Sequence, residues 1–332
     1  MNIRSVKSLA FLTILLMPFS PMGSKAQTAH ATLAEGLLDI AHNYRLKGQF
    51  EKAVESLKHG IAILALEPGE EKHIGRLKIA LAQALLRKSF HDNKVDEQAQ
   101  ILYREAQEIA QKIGDEKLLA DAIYGSGYYD FERGNEVWDR ALIKLNESLA
   151  MRKKLGDSRG ISQSHFTIGV IHQRRGKLEE ADAHFKESLK EARAVRSIYM
   201  EAENERHIGY LHYFRGDMEK AMPHFLASLE LRRSIGYVDG SIFAAITIGQ
   251  TLERLGKYLE AIPYLEKSLA DAIAINSRAG MARAYSSLGS IYKKLGRLEE
   301  AKQNLQQAIE VAQLIGYSSV EQQAGEMLKE IR

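Results

Sequence analysis

The sequence predicts an all-α protein, an α-solenoid superhelix of antiparallel helix pairs finished by a C-terminal capping helix. Three observations predict it. An alanine in helix-rich surroundings recurs at Ala53, Ala99, Ala141, Ala181, Ala221, Ala261 and Ala301, at intervals of 46 and 42 residues and then four of 40. A small residue stands twelve positions upstream at Ala41, Gly169, Gly209, Gly249 and Gly289, and a further glycine falls between the two registers at Gly48, Gly176, Gly216, Gly256 and Gly296. Only 5 of the 332 residues are proline, while Ala, Leu, Glu and Lys are abundant, so helix is favoured throughout.

Each unit reads as two helices. The first ends near the middle glycine, which can take the left-handed backbone that closes a helix. The second follows almost at once, as in GKLEEADAHFKESL and GRLEEAKQNLQQAI. Apolar residues recur at spacings of three and four, one buried stripe per helix. The small residues mark places where two helices approach closely. Neither helix can bury its stripe alone, so units must stack, and stacking generates a concave face. Seven units are expected over 32–318, with a capping helix over 319–332 whose stripe is Val320, Ala324, Leu328 and Ile331.

Two units depart from the beat. The second carries an excess around SFHDNKVDE and lacks the turn glycine. The third has two extra residues in GNEVWDRA, which holds Trp138, the only tryptophan. Loop drift explains such insertions; the sharper reading makes Trp138 an exposed anchor for a partner.

The first 26 residues read as a signal peptide. Arg4 and Lys7 precede a 12-residue apolar run, SLAFLTILLMPF, and Ser24 and Ala26 stand before Gln27 as at a cleavage site. A membrane anchor would need about 20 apolar residues. Residues 27–31 are expected as a short linker, and no stable membrane insertion is expected after cleavage. The leader holds three of the 46 basic residues and none of the 43 acidic ones. The mature chain is therefore neutral and lacks the electrostatic footprint of nucleic-acid binding. The absence of cysteine excludes disulfides and thiol chemistry.

The units resemble tetratricopeptide repeats of a long, about 40-residue type. SHFTIGVIHQRRGKLEEADAHFKESL and YSSLGSIYKKLGRLEEAKQNLQQAI carry the small residue, the turn glycine, the alanine and a bulky residue four beyond it, a position held across the units by Leu57, Tyr103, Phe185, Phe225 and Leu305. An aromatic follows three after the small residue at Tyr44 and Tyr292. The resemblance implies a groove lined by first-helix positions three before the small residue, and one, four and five after it. Carried over, these are Tyr124, Tyr128 and Phe131; Phe166, Val170, Gln173 and Arg174; Arg206, Tyr210, Tyr213 and Phe214; Ile246, Gln250, Glu253 and Arg254; and Ser286, Ser290, Lys293 and Lys294. The groove would be aromatic in its middle and basic at its C-terminal end, suited to an extended, partly acidic peptide. The competing reading packs several of these rings between helices. The asparagine that many peptide-binding members carry two residues before the small residue is replaced by Thr167, His207, Thr247 and Ser287.

Catalysis is not expected, and no cofactor is implied. Gly125-Ser126-Gly127 lacks the preceding strand and third glycine of a dinucleotide site. His165, His172, His184, His207, His212 and His224 cluster in two units, but His172 and His212, like His184 and His224, are 40 apart, the mark of duplication rather than of one metal site. His172 and His212 replace the usual aromatic and are expected to be packed and hydrogen-bonded. Pro223 and Pro263 share one second-helix position, where a mild kink is expected. The sequence thus points to an exported scaffold, periplasmic or secreted, that holds a protein or peptide. The alternative is the ligand-sensing part of a signalling system that responds through superhelical pitch.

Overall fold

The computed structural model describes residues 24–91 and 95–331. The leader up to residue 23 lies outside the described residues. Seven helix pairs follow in order: α1 (Ser24–Leu46) with α2 (Phe50–Leu64), α3 (Glu71–His91) with α4 (Gln98–Ile113), α5 (Glu116–Glu132) with α6 (Trp138–Lys154), α7 (Ser158–Arg174) with α8 (Leu178–Ala194), α9 (Ile198–Phe214) with α10 (Met218–Ser234), α11 (Val238–Arg254) with α12 (Tyr258–Ala274), and α13 (Arg278–Lys294) with α14 (Leu298–Leu314). A last helix, α15 (Ser318–Lys329), packs on α13 and α14. Among the described residues there is no strand. Helix α1 runs through 27–31, where the sequence suggested a linker.

The repeat registers have direct structural counterparts. Gly176 has φ 75° and donates its N–H to Gln173 O, while Lys177 N–H reaches back to His172 O at 2.9 Å. This left-handed cap ends α7 and turns the chain into α8 within a few residues. At the second register, a Cβ on Gly169 would lie 2.8 Å from the Phe185 ring, and one on Gly209 2.7 Å from the Phe225 ring. Glycine is what allows the two helices of a unit to close over a buried aromatic. Leu57, Tyr103, Phe185, Phe225, Leu265 and Leu305 are all buried at this shared position, each contributing roughly 1.5–3 kcal/mol of apolar burial. Pro223 and Pro263 sit inside α10 and α12, which continue past them as single helices.

The departures are equally local. Helix α3 is 21 residues long, against 17 in the regular first helices, which absorbs part of the excess in unit two. In unit three a short 3-10 turn, Asn135–Val137, takes up the insertion. Trp138 is only 9% exposed; its indole Nε1 donates to Phe131 O and its ring stacks on Phe131. It anchors the turn rather than a partner.

The superhelix completes a turn and meets itself. Helix α11 touches α1, and α13 touches α3. Ile275, between α12 and α13, packs so closely on Gly48 that a Cβ there would meet its Cδ1 at 2.5 Å. Arg87 of α3 donates through Nη2 to Asp239 Oδ2 at 2.5 Å and to the Tyr237 hydroxyl at 2.9 Å, both at the start of α11. The Asp239 carboxylate is fully buried. These contacts join residues about 150 positions apart and convert an open groove into a walled cavity.

Candidate binding cavity

The inner wall is built by the first helices, whose spacing brings one face of each toward the superhelix axis. They enclose a cavity of about 520 Å³, within the range of small-ligand pockets. Ten of the nineteen groove positions carried over from sequence line it: Tyr124, Tyr128, Phe131, Phe166, Val170, Gln173, Arg174, Arg206, Tyr210 and Phe214. Nine do not, and the aromatic and basic ones among them are engaged elsewhere or exposed. Tyr213 packs on Phe225 and carries the Arg254 guanidinium 4.3 Å over its ring. Lys293 forms an ion pair with Glu330 at the end of the capping helix. Lys294 is exposed away from the cavity. Lys293 and Lys294, the basic C-terminal end of the expected groove, are therefore not part of this site: closure of the superhelix centres the cavity on units two to six, and Arg45, Arg283 and Tyr317 reach it from the two ends of the chain.

The two readings of the rings divide by residue. Tyr124 and Tyr210 are tied between units by hydroxyl bonds to Thr167 (2.9 Å) and Thr247 (2.8 Å). The threonines thus occupy the position where an asparagine was missed. Tyr128 lies between Tyr124 and Phe131 at centroid distances of 6.3 and 5.8 Å. Phe214 stacks on Tyr210 and remains 58% exposed. The rings are packed on one side and present the other to the cavity.

The polar wall is mainly cationic. Arg174 lies 4.7 Å over the Phe131 ring and has no carboxylate partner among the described residues. Arg206 differs: it pairs with Glu203 at 3.2 Å. Arg232, from second helix α10, reaches the other Glu203 oxygen at 2.8 Å and is 2% exposed. Burial alone would raise the Glu203 carboxyl, but the charges of Arg232, then Arg206 and Arg87, outweigh it and hold it below the usual carboxylate range. His207 is pushed well below the ordinary imidazole range by burial first, then by Arg206, Arg174 and Arg232. It is thus neutral. Arg206 donates to His207 Nε2, so Nδ1 carries the proton and donates to Gln173 Oε1 at 2.6 Å. Gln173 in turn donates to His207 O at 3.0 Å, which fixes α7 against α9. The Tyr103 hydroxyl and Arg206 Nε are buried in this wall without a hydrogen-bond partner among the described residues.

Sequence reasoning missed Arg87, Gln163, Tyr199, Glu203 and Tyr237. Three of them carry a readable signal. Glu203 and Tyr199 lie three and seven residues before Arg206, and Gln163 three before Phe166, so extending the groove face backward by one and two helical turns reaches them. Arg87 and Tyr237 are placed by closure, which no local pattern encodes. Outside the cavity, His172 stacks on His184 and His212 on His224, at 5.4 and 5.5 Å. These histidines are packed as expected, but Nδ1 of His172 and of His212 has no hydrogen-bond partner among the described residues.

Known proteins agree with this architecture. Tetratricopeptide repeat profiles match residues 34–63, 200–274 and 241–314. No curated protein sequence matches the chain. Among solved structures, a signal transduction ATPase with numerous domains and a tetratricopeptide repeat sensor, from Pyrococcus horikoshii, aligns with TM-score 0.55 and 19% identity over 89% of this chain. The chain spans only 44% of that protein's length. A Rap protein complexed with Competence and Sporulation Factor aligns with TM-score 0.57 and 15% identity, over 90% of this chain and 97% of that one. The Rap conjugation gene regulator of plasmid pLS20, in complex with the Phr* peptide, gives TM-score 0.53 and 15% identity over 90% and 95%. At such identities the likeness is one of fold. The paired helices, the repeat registers and the profile matches lead to one conclusion: the chain is a tetratricopeptide-repeat protein.

Proposed function

We propose that this protein is an exported, non-catalytic scaffold that holds a peptide, or an extended segment of a partner protein, in its central cavity. One observation carries the reading: the cavity wall joins aromatic faces (Tyr128, Phe166, Phe214) to an arginine without a carboxylate partner, Arg174. Aromatic rings give a large contact area at small entropy cost, and a guanidinium offers a forked donor to carboxylates or backbone carbonyls. Two Rap structures of similar fold hold a factor and a peptide respectively, which supports a ligand of that class. Export, to the periplasm or the medium, rests on the leader pattern in residues 1–26.

The test is crosslinking capture of the partner from the extracytoplasmic fraction, repeated with Phe214→Ala and Arg174→Ala. Both side chains face the cavity without bearing the ion pairs that Arg206 does. Each variant is expected to weaken capture about tenfold, the effect of losing one good contact. Unaltered capture by both variants overturns the assignment of the cavity. Mass analysis of the mature protein is expected to give Gln27 as the first residue; retention of residue 1 refutes cleavage.

A further inference from the structure

A second cavity, of about 430 Å³, adjoins the first and shares Arg45, Gln83, Arg87, Gln163, Tyr199, Met200 and Tyr237 with it. Those shared side chains form a collar between an aromatic chamber and an outer mouth. The mouth is assembled from distant parts of the chain: the end of α1, and the loops that lead into α7, α9 and α11. Arg45, Arg159 and Arg196 all line it, and none of the lining side chains is acidic. Arg87 is engaged by Asp239. Arg45 bonds only the neutral Gln83, at 3.2 Å. No carboxylate pairs with Arg45, Arg159 or Arg196 among the described residues. This gathering of positive charge occurs in a chain whose overall charge is only +3.

Arg196 adds an independent sign. The loop that leads from one unit to the next places a glycine with positive φ at Gly114, Gly156, Gly236 and Gly316. At the equivalent position between α8 and α9 stands Arg196, with φ 52°. Asn276, in the sixth unit, tolerates this backbone through its short polar side chain; an arginine does not. Packing gives no reason for it, because the side chain is exposed. A strained backbone that carries an unpaired guanidinium to a cavity rim is the pattern of a ligand-binding position. His42, which lines the same mouth, responds to the same field. Partial desolvation lowers its pKa first, the charges of Arg45 and Arg159 lower it further, and only Asp39 raises it.

We infer that this mouth is an anion subsite, in which Arg45, Arg159 and Arg196 take the carboxylates at the acidic end of a peptide whose following residues enter the aromatic chamber. The inference rests on the peptide-binding reading for the identity of the ligand and supplies its polarity: acidic group at the α1 side, apolar side chains beyond the collar. Charge-assisted hydrogen bonds from forked guanidinium groups provide the selectivity.

The probe is a dye-labelled tetraglutamate peptide against its tetraglutamine counterpart, followed by fluorescence anisotropy with the full mature chain in about 50 mM salt, where exposed charges are weakly screened. Tetraglutamate is expected to bind at least about tenfold more tightly than tetraglutamine. Arg196→Gly restores the residue that the other units use. It is expected to weaken tetraglutamate about tenfold while the melting temperature holds or rises, which separates loss of the site from loss of the fold. Arg159→Ala is expected to weaken it similarly. Equal binding of the two peptides, or binding within about twofold of the parent in both variants, overturns the inference. Displacement by inorganic pyrophosphate at concentrations below that of the peptide overturns the assignment to a peptide carboxylate. Loss of tetraglutamate binding in Arg196→Gly with intact binding in Phe214→Ala isolates the mouth. Loss of partner capture in Phe214→Ala alone isolates the chamber, so the two readings fail separately.

Discussion

Arg87→Met should loosen the closed superhelical turn. In the parent, Arg87 contacts Asp239 at 2.5 Å and Tyr237 at 2.9 Å, and the Asp239 carboxylate is fully buried while Arg87 is about a quarter exposed. Methionine keeps the apolar stem and removes the charge. Breaking a buried pair by deleting one partner costs about 3–5 kcal/mol, because the remaining charge stays desolvated. Partial exposure of Arg87 favours the lower end, about 3 kcal/mol. For a chain of this size that corresponds to a fall in Tm of roughly 6 °C. Adding Asp239→Asn should recover part of the loss, since no uncompensated carboxylate is then left behind. The assay is calorimetry paired with small-angle scattering, because separation of α3 from α11 should raise the radius of gyration as well as lower Tm. A Tm within about 1 °C of the parent, with an unchanged scattering profile, would refute the reasoning that this contact closes the turn.

Other expectations follow from packing and charge. A Cβ on Gly125 would lie 2.1 Å from the Tyr103 ring, so Gly125→Ala should destabilise by about 1–3 kcal/mol, and calorimetry should show relief when Tyr103→Leu is added. Phe185→Ala should cost about 3–5 kcal/mol, read as the shift of the denaturation midpoint, because Phe185 is fully buried under Gly169. Burial, then His165 and His172, push the His184 pKa down to about 4 from 6.5. Between those values the unfolded chain binds the extra proton, so stability is full above about pH 6.5 and declines as pH falls toward 4. His184→Gln should flatten that part of a Tm-against-pH curve; an unchanged slope contradicts this assignment.

The repeat was legible in sequence because its determinants are local. Gly176 ends a helix through its own backbone, and Gly169 and Ala181 mark a contact twelve residues apart. The aromatic wall was legible to the extent that Phe166, Tyr210 and Phe214 follow the helical period. Closure was not, because superhelical pitch is the sum of small rotations at every junction. The meeting of Arg87 with Asp239, and of Arg45 with Arg159, depends on all the units between them. Closure also explains why Lys293 and Lys294 stand outside the site. The sequence expectation treated the groove as open along its whole length, whereas α13 is engaged by α3 and by the capping helix. Arg152 and Arg232 were hidden for another reason. They occupy a second-helix position that holds Ala192, Ala272 and Ala312 in sibling units, so the repeat pattern predicts small residues there. In the fold they are buried guanidinium groups bonded to Asp121 and Glu203.

The most direct test of the concave surface as the binding surface is site-specific photocrosslinking in intact cells. A benzophenone side chain at Phe214, 58% exposed in the cavity wall, is compared with one at Leu259, 70% exposed on second helix α12. The account predicts a discrete partner adduct from Phe214 and none from Leu259. Adducts from Leu259 with none from Phe214 would contradict it, and would place the binding surface on the outer face of the superhelix.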